Sequence, residues 1–199
     1  MPSDIHRKTD IYRKRKIVMM GSRGVGKSSL AFRFVEDGLY SEAYFPTISN
    51  TFEKTMTVDE QERDVFILDT AGLDEFSILN SHHIIGIHGF IIVYSVASRA
   101  SFENAKLIFD RIISFCGRTV PAVLVAQKAD LARREVSEAQ GRALAQQMGV
   151  PHIEASAKDD HNVAEVFEVC LAEVEKRYGR RTYVTQPSPP PEPKRCVIM

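Results

Sequence analysis

One stretch of the sequence indicates the fold class most directly: Gly21-Ser-Arg-Gly-Val-Gly-Lys-Ser28. It matches the pattern G-x-x-x-x-G-K-[ST], and it stands between a short apolar run (residues 16–20) and a helical pattern (28–36). In that strand–loop–helix setting, backbone N–H groups surround phosphates, and glycines supply the dihedral angles that the loop needs. Lys27 then neutralises the β- and γ-phosphates, and the Ser28 hydroxyl ligates Mg²⁺. The stretch therefore predicts a nucleoside triphosphate site.

A second phosphate-side motif, Ile67-Leu-Asp-Thr-Ala-Gly72, reads as a strand that ends in an acid and is followed by a glycine. Asp69 is placed to hold Mg²⁺ through a water molecule. The N–H group of Gly72 is placed to contact a γ-phosphate. The pattern D-x-x-G is common in turns and is weak evidence by itself. It indicates a phosphate-side motif here because a phosphate loop precedes it in the chain.

Two further motifs indicate which base is bound. Gln127-Lys-Ala-Asp130 and Glu154-Ala-Ser-Ala-Lys158 each follow an apolar strand pattern. A carboxylate at Asp130 accepts two hydrogen bonds from guanine N1 and N2, whereas adenine offers no matching pair of donors. The stem of Lys128 would cover one face of the base, and the Ser156–Ala157 segment would address O6. Guanine is therefore predicted, and an ATP-dependent kinase or transporter ATPase is disfavoured.

Composition is that of one domain with a tail. The chain has 199 residues, and its Lys+Arg and Asp+Glu counts are both 26, so the formal net charge is zero. That balance argues against a protein that coats nucleic acid, which would be basic. Three widely spaced cysteines form no readable disulfide framework or zinc site. No run approaches the ~20 apolar residues that span a bilayer.

Apolar runs alternate with helical patterns along most of the chain, which predicts an α/β fold with a mainly parallel six-stranded sheet and helices on both faces. Residues 1–15 are expected to be a solvated basic arm, 16–178 the domain, and 179–199 a flexible proline-rich tail. Strands are expected at 16–20, 51–58, 62–68, 89–96, 121–126 and 152–154, and helices at 28–36, 101–115, 137–148 and 162–178.

The order and spacing of these motifs resemble a Ras-superfamily small GTPase over residues 16–178, and most of all its Rheb branch. The features typical of that branch are an arginine in the phosphate loop, a helix end, an effector loop and the segment after the fourth strand: Arg23, Phe34-Val-Glu36, Pro46-Thr-Ile-Ser-Asn-Thr-Phe52, and Ser95-Val-Ala-Ser98 with Ser101-Phe-Glu103. The resemblance implies the P-loop NTPase fold of a Ras-like G domain.

The same resemblance implies residue roles. Thr47 would ligate Mg²⁺ and the γ-phosphate, Tyr44 would lie over the phosphates, and Tyr40 would pack on guanine. The segment from Lys27 to Thr47 is one residue longer than the resemblance leads us to expect, and the extra residue falls within 38–43. The implied effector residues are Pro46, Thr47, Ile48, Ser49, Asn50, Thr51 and Phe52, and the metal ligands are Ser28, Thr47 and Asp69. The implied nucleotide-binding residues are Gly21, Ser22, Arg23, Gly24, Val25, Gly26, Lys27, Ser28, Ser29, Tyr40, Tyr44, Thr47, Gly72, Gln127, Lys128, Asp130, Ser156, Ala157 and Lys158.

As a function, the resemblance implies a switch that binds GTP with Mg²⁺, orders two loops on the γ-phosphate and presents an effector loop. The implied effector is a TOR-type kinase complex. The implied GTPase-activating protein is of the tuberin type, which supplies a catalytic side chain in trans.

Leu73 departs from the family pattern, because it stands where the family has a glutamine that orients the attacking water. Leucine does not hydrogen-bond to water, so very slow hydrolysis is expected. The alternative is a module with essentially no hydrolysis that stays loaded with GTP. The sequence does not distinguish a natural leucine from an engineered one. Candidate catalytic residues are Lys27, Thr47, Gly72 and Asp74.

Gln127 is a second departure, since the family has an asparagine there. One extra methylene is expected to displace the amide that ties this loop to the phosphate loop and contacts guanine N7. Weaker nucleotide binding and faster exchange are the predicted result.

The chain ends in Cys196-Val-Ile-Met199, which fits C-a-a-X with a final methionine and predicts farnesylation by a farnesyltransferase. One lipid chain gives marginal, reversible membrane binding, and only Lys194 and Arg195 lie beside the cysteine. The expected location is the cytoplasmic face of membranes, endomembranes before the plasma membrane, with a cytosolic pool.

Overall fold

A computed structural model describes residues 13–36, 49–70, 86–116 and 120–179 of the chain. Within them, six strands alternate with four helices, and all six strands and four helices that the sequence predicts are present, with bounds shifted by a few residues. The elements are β1 (Lys14–Met20), α1 (Lys27–Val35), β2 (Ser49–Val58), β3 (Gln61–Thr70), β4 (Gly89–Ser95), α2 (Arg99–Cys116), β5 (Ala122–Gln127), α3 (Glu138–Met148), β6 (His152–Ala155) and α4 (Val163–Tyr178).

The six strands form one sheet in the order β2-β3-β1-β4-β5-β6. All neighbours are parallel except β2 and β3, which form an antiparallel hairpin. Asp59 and Glu60 are the two turn residues, and both have the positive φ of a tight hairpin turn. The predicted mainly parallel six-stranded sheet is thus confirmed. Because the parallel strands share one direction, the loops that follow β1, β3, β5 and β6 lie at one edge of the sheet.

Alternation along the strands divides the core into two layers. On β1, Ile17 and Met19 belong to one cluster of buried side chains, and Val18 and Met20 belong to the other. Helices α1 and α4 cover the first face, and α2 and α3 cover the second, which confirms the prediction of helices on both faces. The helices contribute Leu30, Phe34, Val166, Phe167 and Leu171 to the first cluster, and Ile108, Ile112, Leu144 and Ala145 to the second.

Helix α3 begins with a reciprocal cap at Ser137. The Ser137 hydroxyl accepts the N–H of Gln140, and the Gln140 side chain accepts the N–H of Ser137. Such a capping box satisfies two backbone donors that the first turn otherwise leaves unpaired. At the other end, Gly149 closes the helix in the left-handed conformation.

The start of β1 differs from the sequence prediction. The strand begins at Lys14 rather than at residue 16, and Arg15, expected in a solvated arm, is only 6% exposed. Its Nε donates to Glu175 Oε1 of α4 at 2.6 Å, and Arg63 of β3 donates to Glu175 Oε2 at 2.9 Å. The sequence hid this arrangement because Arg15 and Arg63 meet their shared partner only when α4 packs on the sheet.

The Glu175 carboxylate is held in its ionised form. Burial opposes ionisation, but hydrogen bonds and positive charge from Arg63 and Arg15 outweigh it and lower the pKa of Glu175. Cys170, on the same helix, is fully buried in the core. Burial raises the pKa of the Cys170 thiol, so this side chain stays neutral.

Two half-buried histidines are held in their neutral form. The Nδ1 atom of His88 accepts the backbone N–H of Lys16 at 2.9 Å, and the Tyr94 hydroxyl lies 3.1 Å from His152 Nε2. Burial raises the pKa of Tyr94, so its hydroxyl keeps its proton. Burial also lowers the pKa of both histidines from the ordinary 6.5, because the charged form loses hydration.

We expect the free energy of unfolding to be highest above about pH 6.5 and to fall as the pH drops below that value. The unfolded chain then takes up protons that the folded histidines, with their lowered pKa, do not bind. Urea unfolding at about pH 7.5 and pH 5.5 measures this loss. His152→Gln keeps a polar partner for Tyr94 but does not titrate, so this variant should lose less stability between the two pH values. The control is His161→Gln, at an exposed histidine. Equal stability of the unsubstituted protein at both pH values would contradict the prediction.

No helix in the described part of the chain combines the length and apolar character needed to cross a membrane.

Candidate functional site

The predicted phosphate loop connects β1 to α1 at the carboxyl edge of the sheet, and two of its glycines are required by space. Gly21 has a φ of 144°, and a Cβ there would lie 2.0 Å from the carbonyl oxygen of Val93. Gly26 has a φ of 104°, and its Cβ would come within 2.9 Å of Gln127 Cγ. Gly26 is also the N-cap of α1 and provides no side-chain cap. A helix N-terminus of this kind is suited to bind an anion.

Lys27 lies inside the curve of the loop and is only 5% exposed. Its ammonium group donates to the carbonyl oxygens of Gly21 and Ser22, the latter at 3.1 Å. A buried ammonium group is costly unless anionic or polar partners surround it, and an anionic phosphate is such a partner. The position is therefore favourable for a phosphate group.

Asp69, near the end of β3, is a buried carboxylate beside the Ser28 hydroxyl and the Lys27 ammonium group. It is fully buried, and neither of its oxygens makes a hydrogen bond of good geometry within the described residues. Burial raises the pKa of Asp69, although the nearby Ser28 hydroxyl and Lys27 ammonium both lower it. A buried carboxylate in this state fits a cation ligand, directly or through water. The described residues hold no cluster of three or more His, Cys, Asp or Glu side chains that would suggest a different metal site.

The loop after β5 is tied to the phosphate loop by two side chains. Lys128 adopts the left-handed backbone conformation with a φ of 67°, which is unusual for a non-glycine residue. Its Nζ donates to Gly24 O at 2.8 Å, and its backbone N–H donates to Gln127 Oε1 at 2.8 Å. The Gln127 amide reaches Gly26 O at 3.5 Å, the long limit of a hydrogen bond. The longer side chain thus still reaches the phosphate loop, and its effect on nucleotide affinity stays a prediction.

Asp130 and the segment after β6 meet at the same edge. The Ser156 hydroxyl, 1% exposed, donates to Asp130 Oδ1 at 2.7 Å. This bond fixes the carboxylate while leaving it further acceptor capacity, as reading two donors on a base requires. Ala157 is buried beside Ser156, whereas Lys158 is exposed. The structure therefore brings together the two motifs that the sequence assigns to guanine.

The remaining predicted site residues lie on the phosphate loop, on α1, on β2 or outside the described ranges. Arg23 is exposed on the phosphate loop, Val25 is buried beneath it, and Ser29 lies in the first turn of α1. Of the predicted effector loop, Asn50, Thr51 and Phe52 lie on the edge strand β2, which Ser49 begins. The following assignments fall on residues outside the described ranges and stay predictions: Tyr40, Tyr44, Pro46, Thr47, Ile48, Gly72, Leu73, Asp74 and Cys196.

One contact at the site involves a residue that no motif marks. Asn104, on α2, donates from Nδ2 to the hydroxyl oxygen of Ser22 at 2.9 Å. The two residues are 82 positions apart in sequence. Asn104 stands on the polar side of an amphipathic helix, where a solvated side chain is the ordinary expectation, so sequence reasoning had no signal to select it.

A family model agrees with this geometry. The model of the Ras family matches residues 16–176, which is most of the chain and includes every loop described above.

Curated relatives cover nearly the whole chain. GTP-binding protein rhb1 of Schizosaccharomyces pombe is 46% identical over 188 residues, 94% of this chain and 97% of the relative. GTP-binding protein Rheb homolog of Dictyostelium discoideum is 44% identical over 187 residues, 93% of this chain and 97% of the relative. GTP-binding protein Rheb of Homo sapiens is 43% identical over 169 residues, 84% of this chain and 91% of the relative.

Proposed function

Because this chain belongs to the Ras family of small GTPases, and within it to the Rheb branch, we propose that it is a molecular switch with slow GTP hydrolysis. Binding of guanine nucleotide and hydrolysis of GTP follow from the family. The slow rate is the finer proposal, and Leu73 at the position of the family's glutamine is the observation that carries it. Without an amide to orient water, the site keeps electrostatic stabilisation from Lys27 but loses the group that positions the nucleophile.

Magnesium is the metal that the donor set fits. Ser28 offers a hydroxyl, and Asp69 offers a buried carboxylate whose oxygens make no hydrogen bond of good geometry among the residues that the structure describes. Mg²⁺ prefers oxygen ligands and retains several waters, so Ser28 would bind it directly and Asp69 through water, with Thr47 as the predicted third protein ligand. Bound Mg²⁺ neutralises charge on the phosphates. The residues of this chain hold and orient the nucleotide around it.

When GTP is bound, Thr47 and the N–H group of Gly72 would contact the γ-phosphate and order their loops. The ordered loops would present residues 46–52 to an effector. The Rheb resemblance supports a TOR-type kinase complex as that effector and a tuberin-type protein as the GTPase activator. An activator that supplies its own catalytic side chain would act on this chain despite Leu73.

A second candidate function is a module without measurable hydrolysis that is permanently loaded with GTP. Leu73 favours this candidate too, and Arg23 adds a bulky side chain next to the phosphates. Control would then come from nucleotide exchange, abundance or membrane attachment.

Substitution Leu73→Gln distinguishes these candidates. We expect it to raise single-turnover GTP hydrolysis by about ten-fold or more, since a positioned amide orients the attacking water. The unsubstituted protein, purified natively, should carry mostly GTP by chromatography of the extracted nucleotide, and should turn it over slowly but measurably. Leu79→Gln is the matched control. Undetectable GTP hydrolysis by the unsubstituted protein would support the permanently loaded module. If the unsubstituted protein instead carried mostly GDP, Asp74 would be the next candidate for positioning the water, and Asp74→Asn would test it.

We also propose that Cys196 is farnesylated and that the lipid holds the protein at the cytoplasmic face of endomembranes, with a cytosolic pool. Support comes from the C-a-a-X ending and the proline-rich segment 186–193 that precedes it. A single farnesyl group with few adjacent basic residues gives reversible binding, which suits exchange between membrane and cytosol.

A further inference from the structure

We propose that Asn104 is a positioning residue of the nucleotide site, which slows nucleotide release by holding the phosphate loop through Ser22. This role is independent of the slow hydrolysis and the partners proposed above. It concerns how long a guanine nucleotide stays bound.

The contact links α2 to the centre of the loop. Asn104 Nδ2 donates to Ser22 Oγ at 2.9 Å, and the Ser22 carbonyl accepts Lys27 Nζ at 3.1 Å. Ser22 therefore connects the helix on one side with the phosphate-binding ammonium group on the other. A shift of Ser22 would move the carbonyl that Lys27 uses and the backbone N–H groups that follow it.

The helix is a firm base for this contact, because three hydrogen bonds fix its first turn. The Ser101 hydroxyl, 3% exposed, accepts the N–H of Ser95 at 3.0 Å and donates to Ser98 O at 2.8 Å. The Arg99 N–H donates to Glu135 Oε2 at 2.8 Å. Asn104 lies one turn after Ser101, so its position is set by the sheet rather than by the phosphate loop.

The loop is thus held from two directions. Lys128 Nζ ties Gly24 and the Gln127 amide reaches Gly26 from the base side, whereas Asn104 ties Ser22 from the side of α2. The contact between Gln127 and Gly26 is long, at 3.5 Å. Of the two contacts from the base side, only the one from Lys128 is short, so the contact from α2 is the second short side-chain hydrogen bond that holds the loop.

The environment of Asn104 makes a direct test possible. Asn104 and Ser22 line a cavity of about 430 Å³ beside the phosphate loop, and Asn104 is half-buried. Shortening the side chain therefore removes a hydrogen bond without emptying a packed core. Asn104→Ala is expected to leave the fold intact and to act on the loop.

The test is the dissociation rate of fluorescent GDP from the full chain. We expect Asn104→Ala and Ser22→Ala each to raise the rate about three- to ten-fold, the effect of one lost hydrogen bond. The double variant should release GDP no faster than the faster single variant, because both remove the same bond. Lys106→Ala, exposed on the same helix, is the control and should leave the rate unchanged.

A role confined to fold stability predicts different data. In that case Asn104→Ala would lower the urea midpoint of the GDP-bound protein and leave the release rate within two-fold, which would overturn the proposal. Additive effects of the two single variants would overturn it as well. Asn104→Gln offers the same amide on a longer stem and should restore part of the slow release, whereas Asn104→Leu should not.

Discussion

Asp130→Asn should lower the affinity for GDP by roughly 10²- to 10⁴-fold, because an amide replaces half of the acceptor pair that guanine requires. In the structure, one oxygen of Asp130 accepts the Ser156 hydroxyl at 2.7 Å. The amide oxygen of the variant keeps that bond. Its NH₂ group then faces the exocyclic N2–H₂ donor of guanine, so a donor meets a donor and neither is paired.

The same variant should gain affinity for xanthine nucleotides. Xanthine carries a carbonyl where guanine carries the exocyclic amine, and the new NH₂ group donates to it. Equilibrium displacement of fluorescent GDP by unlabelled GDP and by XDP measures both changes. A reversal of preference, rather than loss of binding alone, separates base recognition from a damaged fold.

Asp159→Asn is the matched control, since Asp159 is an exposed acid of the neighbouring loop. It makes the same change of charge near the site and should alter neither affinity by more than about two-fold. If Asp130→Asn kept its GDP affinity within a few-fold of the unsubstituted protein, guanine would be read by other groups and the assignment of Asp130 would be wrong.

Glu175→Ala should lower the free energy of unfolding by about 3–5 kcal/mol, the usual cost of removing one partner from a buried ionic network. Glu175 is 7% exposed and accepts hydrogen bonds from both Arg15 and Arg63. Its removal leaves two guanidinium groups of low exposure without their carboxylate. Equilibrium urea unfolding of the GDP-bound protein measures the loss.

Two further variants define the origin of that loss. Glu173 lies on the same helix, is more exposed than Glu175 and pairs with Lys176. Glu173→Ala should therefore lower the free energy of unfolding by less than about 1 kcal/mol. Replacing Arg15, Arg63 and Glu175 together by Met, Met and Leu removes all charges and should recover most of the stability. If Glu175→Ala remained within about 1 kcal/mol of the unsubstituted protein, the network would not hold β1, β3 and α4 together.

Nucleotide affinity should change little in Glu175→Ala, because the network lies far from the site along the strands. Arg15 stands at the start of β1 and Arg63 near the start of β3, whereas the phosphate loop and Asp69 lie at the other ends of the same strands. The two predictions are therefore independent. The first tests recognition of guanine at the carboxyl ends of the strands. The second tests how the Arg15–Glu175–Arg63 network stabilises the opposite end of the sheet.

The secondary-structure elements, and the chemistry that each motif can perform, follow from local sequence. Alternation along β1 separates Ile17 and Met19 from Val18 and Met20, because side chains on a strand point to opposite faces by geometry alone. Local spacing likewise predicted the phosphate loop and the guanine motif, since each consists of neighbours in sequence.

Which polar side chains far apart in sequence come into contact is evident from the tertiary structure alone. Arg15 became a buried partner of Glu175 because α4 packs against the start of β1, and Asn104 became a partner of Ser22 because α2 lies beside the phosphate loop. Both pairs join polar residues that no local pattern distinguishes from solvated ones. Burial and hydrogen bonding give such residues their roles, and these depend on how helices pack on the sheet rather than on the order of residues within one element.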